Sequence, residues 1–91
     1  MVKTVRSKSV ELRINAPAAK KVALTGSFDN WDINAHPAKK DLKGNWTAKL
    51  SLKPGRYEYK FVVDGSWVND PLCKSLVANA LGSQNCVIEV K

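Results

Sequence analysis

The sequence predicts an all-β domain in which short strands form a sandwich, and three observations support this fold class. Apolar and polar side chains alternate in segment after segment, the period of a strand with one buried face. Pro, Gly, Asn and Asp interrupt these segments about every eight to twelve residues, a spacing typical of β-sandwiches. No segment of about ten residues or more shows the apolar spacing of an amphipathic helix. Internal repeats and low-complexity segments are also absent from the sequence.

The first half of the chain contains two predicted strands. Residues 10–14 alternate apolar and charged side chains, and Pro17 ends this segment because it has no N–H to donate. A second strand is predicted over residues 21–27, ending at a glycine. Residues 28–45 lack periodicity and are rich in turn-forming residues, so we expect a long loop or short irregular edge strands there.

The second half of the chain contains the clearest strand signals. Residues 46–52 alternate, and residues 56–63 alternate again with Lys60 on the outward face. Asp64-Gly65 favours the positive φ angles of a two-residue hairpin turn, so residues 66–68 return as a strand. Residues 74–80 are predicted to form at most one helical turn. A last strand is predicted over residues 85–90.

Length and charge limit the class of protein. The 91 residues predict a single domain over residues 1–91, in which the basic stretch 1–7 is a frayed end. The 15 Lys and Arg against 8 Asp and Glu give a net charge of +7, scattered rather than gathered in one stripe. Lysine outnumbers arginine, which disfavours bidentate recognition of phosphate or bases. No apolar run approaches the ~20 residues of a membrane span.

Cysteine usage and the start of the chain bear on its compartment. Cys73 and Cys86 are expected to remain free thiols, because Cys86 points inward from a strand and Cys73 lies in a loop. No apolar segment follows the basic start, so a signal peptide is not expected. These two features together predict a cytoplasmic location.

The sequence offers little for catalysis. His36 lies in a loop and is expected to be exposed and idle, with no second histidine or nearby cysteine to complete a metal site. A serine or cysteine nucleophile would need a base, and only His36 is available. The acids are spread along the chain, and a glycine-rich phosphate loop is absent. We therefore expect a binding protein rather than an enzyme, without cofactor or metal.

The tryptophans are the most informative residues. Trp46 is in phase with the inward face of its strand and is predicted to be a core residue. Trp31 lies in a polar loop and Trp67 is out of phase after the hairpin turn, so we expect both to be at least partly exposed. Flat aromatic platforms of this kind suit the apolar faces of pyranose rings, and also unstacked nucleobases.

Two motifs carry a resemblance to a known family. The segments Gly26-Ser-Phe-Asp-Asn-Trp31 and Tyr57-Glu-Tyr-Lys-Phe-Val-Val-Asp-Gly-Ser-Trp67 resemble the glycogen-binding, isoamylase N-terminal type of carbohydrate-binding module. Such modules occur in the beta subunits of AMP-activated protein kinase and in branching and debranching enzymes. The resemblance covers roughly residues 8 to 91 and implies an early-set, immunoglobulin-like β-sandwich.

The resemblance also implies a set of binding residues. The sugar-stacking tryptophans of the family match Trp31 and Trp67, and a lysine that donates to sugar hydroxyls matches Lys60. The kinase-type segment Leu-Gly-Thr-x-Asn matches residues 81–85, with serine in place of threonine. The loop between Trp31 and Trp46 is longer than in kinase-type modules and is similar to the bacterial form. The implied carbohydrate-binding set is Trp31, Lys60, Trp67, Leu81, Ser83 and Asn85.

The function predicted from this resemblance is the non-catalytic binding of α-1,4-linked glucan, that is glycogen, starch or maltooligosaccharides. The alternative is a protein-interaction module that docks a kinase or a glycogen-metabolising enzyme, with the tryptophans as contact residues. Binding of single-stranded nucleic acid through basic and aromatic residues is a weaker alternative. From its position alone, Leu81 is also compatible with a role in capping the core. The glucan hypothesis names a neutral polymer as the partner, with neither nucleic acid nor a membrane.

Overall fold

The computed structural model describes residues 7–91. The predicted frayed segment 1–7 therefore lies outside the described residues except for Ser7, which is exposed and precedes the first strand. No helix in the described part of the chain is long and apolar enough to cross a membrane.

Nine strands and one short 3₁₀ turn make up the described chain, and every strand pairing is antiparallel. The order along the chain is β1 (Lys8–Asn15), β2 (Val22–Gly26), the 3₁₀ turn (Ser27–Asp29), β3 (His36–Pro37), β4 (Lys39–Lys40), β5 (Asn45–Leu52), β6 (Gly55–Val63), β7 (Ser66–Val68), β8 (Leu76–Ala78) and β9 (Gln84–Val90).

The strands form two sheets. One has the order β1-β5-β4, and the other has the order β3-β2-β6-β9-β8, with β7 also paired to β6. One edge of β6 pairs with β2, and the opposite edge pairs with β9 near its start and with β7 near its end. The chain crosses between the sheets within residues 37–39, and the two short edge strands found there are one of the two forms expected for residues 28–45.

A single hydrophobic core between the two sheets makes the fold a β-sandwich. The first sheet contributes inward side chains such as Ile14 and Leu50, and the second contributes Leu24 and Phe61, both of which are 0% exposed. Trp46 is 8% exposed and its Nε1 donates to the carbonyl of Ala16 at 2.9 Å, so its predicted core position is confirmed. The predicted all-β sandwich class is confirmed.

The hairpin turn predicted at Asp64-Gly65 is present. Asp64 has φ of 48° and Gly65 has φ of 85°, the left-handed pair that a tight two-residue hairpin requires. The Asp64 carboxylate accepts backbone N–H bonds from Lys20 at 2.9 Å and Lys21 at 2.8 Å, which ties this turn to the start of β2. The turn thus returns the chain as β7 at a fixed position beside β6.

Residues 74–80, for which the sequence allows at most one helical turn, contain no helix. Residues 76–78 form the edge strand β8, in which Leu76 is the register partner of Cys86 and Ala78 that of Gln84. Pairing with an exposed strand edge satisfies the backbone of this segment, and a three-residue strand is too short to show alternation in sequence.

Both cysteines are free, in agreement with the sequence-based expectation. Cys86 is completely buried, and its Sγ approaches the carbonyl of Asp70 at 3.7 Å. Burial, followed by the neighbouring Cys73 thiol, raises the pKa of Cys86 to about 12. Cys86 therefore behaves as a small apolar core residue at neutral pH.

Candidate functional site

The loop that carries Trp31 is built around the carboxylate of Asp29. One carboxylate oxygen accepts from the Thr25 hydroxyl at 3.0 Å, the Gly26 N–H at 3.1 Å and the Asp32 N–H at 3.2 Å. The other lies 2.9 Å from Nδ1 of His36. Burial opposes ionisation, but the bonds to His36, Gly26 and Thr25 together outweigh it and lower the pKa of Asp29.

Trp31 follows this turn in a strained backbone conformation. Asn30 has φ of 58° and Trp31 has φ of 61°, two left-handed residues in succession. A bulky side chain rarely adopts this region, so the surrounding contacts must hold it there. The Trp31 N–H donates to the carbonyl of Gly26 at 2.9 Å, which closes the turn and leaves the indole half-buried.

Trp67 lies at the centre of β7 and is 50% exposed. Its register partner on β6 is Val62. The indole rings of Trp31 and Trp67 approach each other with centroids 6.3 Å apart and planes inclined at 56°. The two rings therefore form an angled pair of apolar faces, not one flat platform.

The polar part of the site lies on β6 and β9. Lys60 is on the outward face as predicted, yet only 8% of it is exposed. Its Nζ lies 3.4 Å from the Ser83 hydroxyl, because residues 79–83, here called the arm, fold over it. Asn85 is 7% exposed, and its Nδ2 donates to a carboxylate oxygen of Glu58 at 3.1 Å.

Leu81 stands at the tip of the arm. It is 93% exposed, so the alternative that it caps the core is wrong. Gly82 follows it with φ of 79°, which allows the chain to turn back toward β9. An isolated leucine exposed to this degree beside two tryptophans extends the apolar surface of the site.

These elements enclose one groove with a volume of about 770 Å³. All six residues implied by the resemblance line this groove, so the structure brings the whole predicted set together. Sequence reasoning missed other lining residues, among them Glu58, which the alternation of β6 places on the same outward face as Lys60. It also missed Asn79, because the short strand β8 that precedes this residue leaves no alternation in the sequence. The additional lining residues are Ser27, Glu58, Ala78, Asn79 and Ala80.

The groove presents apolar ring faces beside a short row of hydrogen-bonding groups. Lys60 and Asn85 supply N–H donors, Ser83 a hydroxyl and Glu58 an acceptor. Within residues 7–91, no group of three His, Cys, Asp or Glu side chains is placed to hold a metal ion. His36 is not idle as expected, since it bonds to Asp29 and packs edge-on against Phe28 with ring centroids 5.5 Å apart. The ring faces and hydrogen-bonding groups of the groove suit the recognition of a polar ligand that has flat apolar faces.

A β-sandwich with exposed aromatic rings above a polar groove defines a carbohydrate-binding type of module. The family model described as the glycogen recognition site of AMP-activated protein kinase matches residues 10–91. The chain belongs to this family, and the predicted resemblance is confirmed.

Individual relatives come from plants and mammals. The chain is 46% identical over 72 residues to the chloroplastic protein FLOURY ENDOSPERM 6 of Oryza sativa subsp. japonica, covering 79% of this chain and 13% of that protein. It is 42% identical over 72 residues to subunit beta-1 of 5'-AMP-activated protein kinase from Rattus norvegicus, covering 79% of this chain and 25% of that subunit. It is 49% identical over 55 residues to the chloroplastic protein PTST homolog 2 of Arabidopsis thaliana, covering 60% of this chain and 10% of that protein.

The chain thus spans a quarter or less of these three relatives. The prediction of a cytoplasmic location is wrong. Two of the relatives are chloroplastic proteins, and a module shared among proteins of different compartments does not specify one.

Proposed function

We propose that this chain binds α-1,4-linked glucan non-catalytically, in the groove between the tryptophan pair and the arm. The observation that carries the proposal is the gathering of the six implied residues, on four separate segments of the chain, around one groove. Trp31 and Trp67 stack on successive glucose rings, Lys60 and Asn85 bond to hydroxyls, and Leu81 and Ser83 complete the surface.

The angle between the indoles supports a curved ligand. Successive rings of an α-1,4-glucan turn relative to one another, whereas those of a β-1,4-glucan run in a flat ribbon. Two platforms inclined at 56° present their faces in different directions, as a turning chain requires. The rings of a straight cello-oligosaccharide lie nearly in one plane, so we expect such a chain to stack on one indole at a time.

The groove offers two stacking faces and a few polar groups to one short oligosaccharide, so affinity for it should be modest. A branched polymer offers many equivalent chain segments, and a module of this kind gains effective affinity when several copies bind one particle. Glycogen and starch are therefore the partners that the site fits best.

The test is a titration of tryptophan fluorescence with maltoheptaose, β-cyclodextrin and cellohexaose. We expect the first two to change the indole emission and to compete with each other, while cellohexaose leaves it unchanged. Equal responses to maltoheptaose and cellohexaose, or no response to either, would contradict the proposal. In the second case the exposed tryptophans would fit the protein-docking alternative instead.

Salt separates glucan from nucleic acid as the ligand. The groove contains one lysine and one glutamate, so a neutral sugar should bind equally well at low and high salt although the chain carries +7. Binding of a single-stranded nucleic acid releases counterions and weakens steeply with salt. A maltoheptaose titration at about 50 and 500 mM salt should give the same dissociation constant within about twofold.

A further inference from the structure

The arm, residues 79–83, is folded around the side chain of Asn79. Oδ1 of Asn79 accepts from the backbone N–H of Leu81 at 3.0 Å and from that of Ser83 at 3.1 Å. The backbone N–H of Asn79 donates to the Ser83 carbonyl at 3.0 Å. One side chain therefore organises the backbone on both sides of the exposed leucine.

The same side chain continues into the polar part of the groove. Nδ2 of Asn79 donates to Oδ1 of Asn85 at 3.0 Å, and Nδ2 of Asn85 donates to Oε1 of Glu58 at 3.1 Å. The result is a directed hydrogen-bond chain, here called the amide chain, that runs from the arm through two asparagines to a carboxylate on β6.

The direction of the amide chain is set at both ends. The backbone N–H groups of Leu81 and Ser83 are donors only, and an ionised Glu58 is an acceptor only. Neither asparagine can rotate by 180° without placing two donors or two acceptors in contact. Because Asn85 is only 7% exposed, such a mismatch cannot be relieved fully by water.

The amide chain also determines where the sugar-facing groups lie. It holds the arm against β9, which keeps the Ser83 hydroxyl 3.4 Å from the Lys60 ammonium group. It also decides which edge of the Asn85 amide faces Glu58 and which faces the arm. Linked hydrogen bonds in a partly buried site polarise one another, so the chain acts as a unit.

We propose that Asn79 is a positioning residue of the groove, which acts through the amide chain to hold Leu81 and Ser83 in place and to orient Asn85. This inference rests on the proposed glucan-binding function for its effect on affinity. The amide chain itself can be tested without any ligand.

The decisive substitution is Asn79→Asp. Aspartate keeps an acceptor for the two arm N–H groups but has no N–H to donate to Asn85. The Asn85 amide then lies between two carboxylates, at positions 58 and 79. We expect maltoheptaose affinity to fall about tenfold, because the buried Asn85 carbonyl loses its donor and faces a carboxylate instead. The single variant Glu58→Gln retains a carbonyl acceptor for Asn85, and it is measured in parallel because Glu58 itself lines the groove and its own effect on affinity must be known.

The double variant Asn79→Asp with Glu58→Gln separates this role from a merely structural one. In this variant the new amide at position 58 donates its N–H to Asn85, and Asn85 in turn donates to the aspartate that replaces Asn79. The amide chain then runs in the reverse direction with every group satisfied. A sugar hydroxyl both donates and accepts, so affinity should recover to within about threefold.

A matched control excludes simple relief of charge repulsion. Combining Asn79→Asp with Glu58→Met removes the carboxylate at position 58 but supplies no N–H donor for Asn85, and we expect affinity to stay near that of Asn79→Asp alone. Nuclear Overhauser contacts from the Asn85 side-chain amide protons should move from the residue at position 58 to the residue at position 79 in the reversed variant.

Two results would overturn the inference: Asn79→Asp that binds like the original chain, or a reversed variant no better than Asn79→Asp. The free protein provides an independent measurement, since hydrogen exchange of the Leu81 and Ser83 amides should accelerate in Asn79→Ala and not in Asn79→Asp. If the original chain fails to bind maltoheptaose, the proposed function fails. The exchange and nuclear Overhauser data then still decide whether the amide chain exists.

Discussion

Asp29 stabilises the loop that carries Trp31, a role that its position in the sequence does not reveal. In sequence it is one of several acids that form turns, and His36 is a lone loop histidine. In the structure the two side chains meet at 2.9 Å, and only 6% of the Asp29 side chain is exposed. Asp29 holds the turn that keeps Trp31 in its left-handed conformation. The partner could not be predicted because the two residues are brought together by the β2–β3 pairing.

The Asp29→Asn variant should be less stable in a manner that depends on pH. The folded state lowers the pKa of Asp29 below its usual 3.8, so ionised Asp29 adds stability at neutral pH. That contribution is fully present above about pH 5 and is lost as the pH falls through the folded pKa. We expect a difference of about 2 kcal/mol in the free energy of unfolding between the two proteins at pH 7.

Urea unfolding of both proteins at about pH 7, 5 and 3 checks this prediction. The stability difference should be smaller at about pH 3 than at about pH 5. A difference that is larger at about pH 3 than at about pH 5 would have the wrong sign for a carboxyl with a lowered pKa.

At the scale of elements, alternation predicted the long strands, whereas β7 was predicted from the hairpin turn before it and β8 was not predicted at all. Strands β1, β5 and β6 lie where their apolar periods placed them, to within two residues at each end. Strand β8 exists only because β9 offers an open edge, which no local pattern reports. The alternation of β6 placed Lys60 outward correctly, but the burial of Lys60 depends on the arm, whose Ser83 lies 23 residues further along the chain.

Gly26 marks a close approach between two elements and should not tolerate alanine. A Cβ at this position would lie 2.2 Å from the Glu58 carbonyl oxygen and 2.7 Å from Cε2 of Phe28. The clash with the backbone of β6 requires β2 and β6 to separate. We expect Gly26→Ala to reduce the free energy of unfolding by about 3 kcal/mol.

Gly65→Ala is the matched control for this prediction. Its added Cβ meets nothing within 4 Å, although its φ of 85° is unfavourable for alanine. The cost there should be about 1 kcal/mol, from backbone strain alone. Chemical unfolding measures both variants, and equal losses would contradict the role of the close approach at Gly26.

At the scale of the whole molecule, the family and the candidate site were predictable in different ways. The motifs around Trp31 and Trp67 identified the family. Matching the binding residues of that family to this sequence then named six residues that the structure brings to one groove. The inclination of the two indoles was not predictable, because it depends on the strained turn at Trp31 and on the hairpin before Trp67. Net charge did not indicate the site, because the groove is lined by only one lysine and one glutamate although the chain carries +7.

The central claim is that Trp31 and Trp67 bind glucan whereas Trp46 maintains the fold, and three alanine variants test it directly. Trp46→Ala removes a side chain that is 8% exposed and should cost roughly 3–5 kcal/mol of stability. Trp67→Ala removes a ring that is 50% exposed and should cost about 1 kcal/mol, with a similar cost for Trp31→Ala.

Retention on a glycogen affinity gel, measured beside urea unfolding of the same three variants, is the decisive measurement. We expect Trp31→Ala and Trp67→Ala to fold and to lose most of their retention, because each ring is half of a two-platform site. If Trp67→Ala loses as much stability as Trp46→Ala and still binds glycogen, Trp67 belongs to the core and the proposed site is wrong.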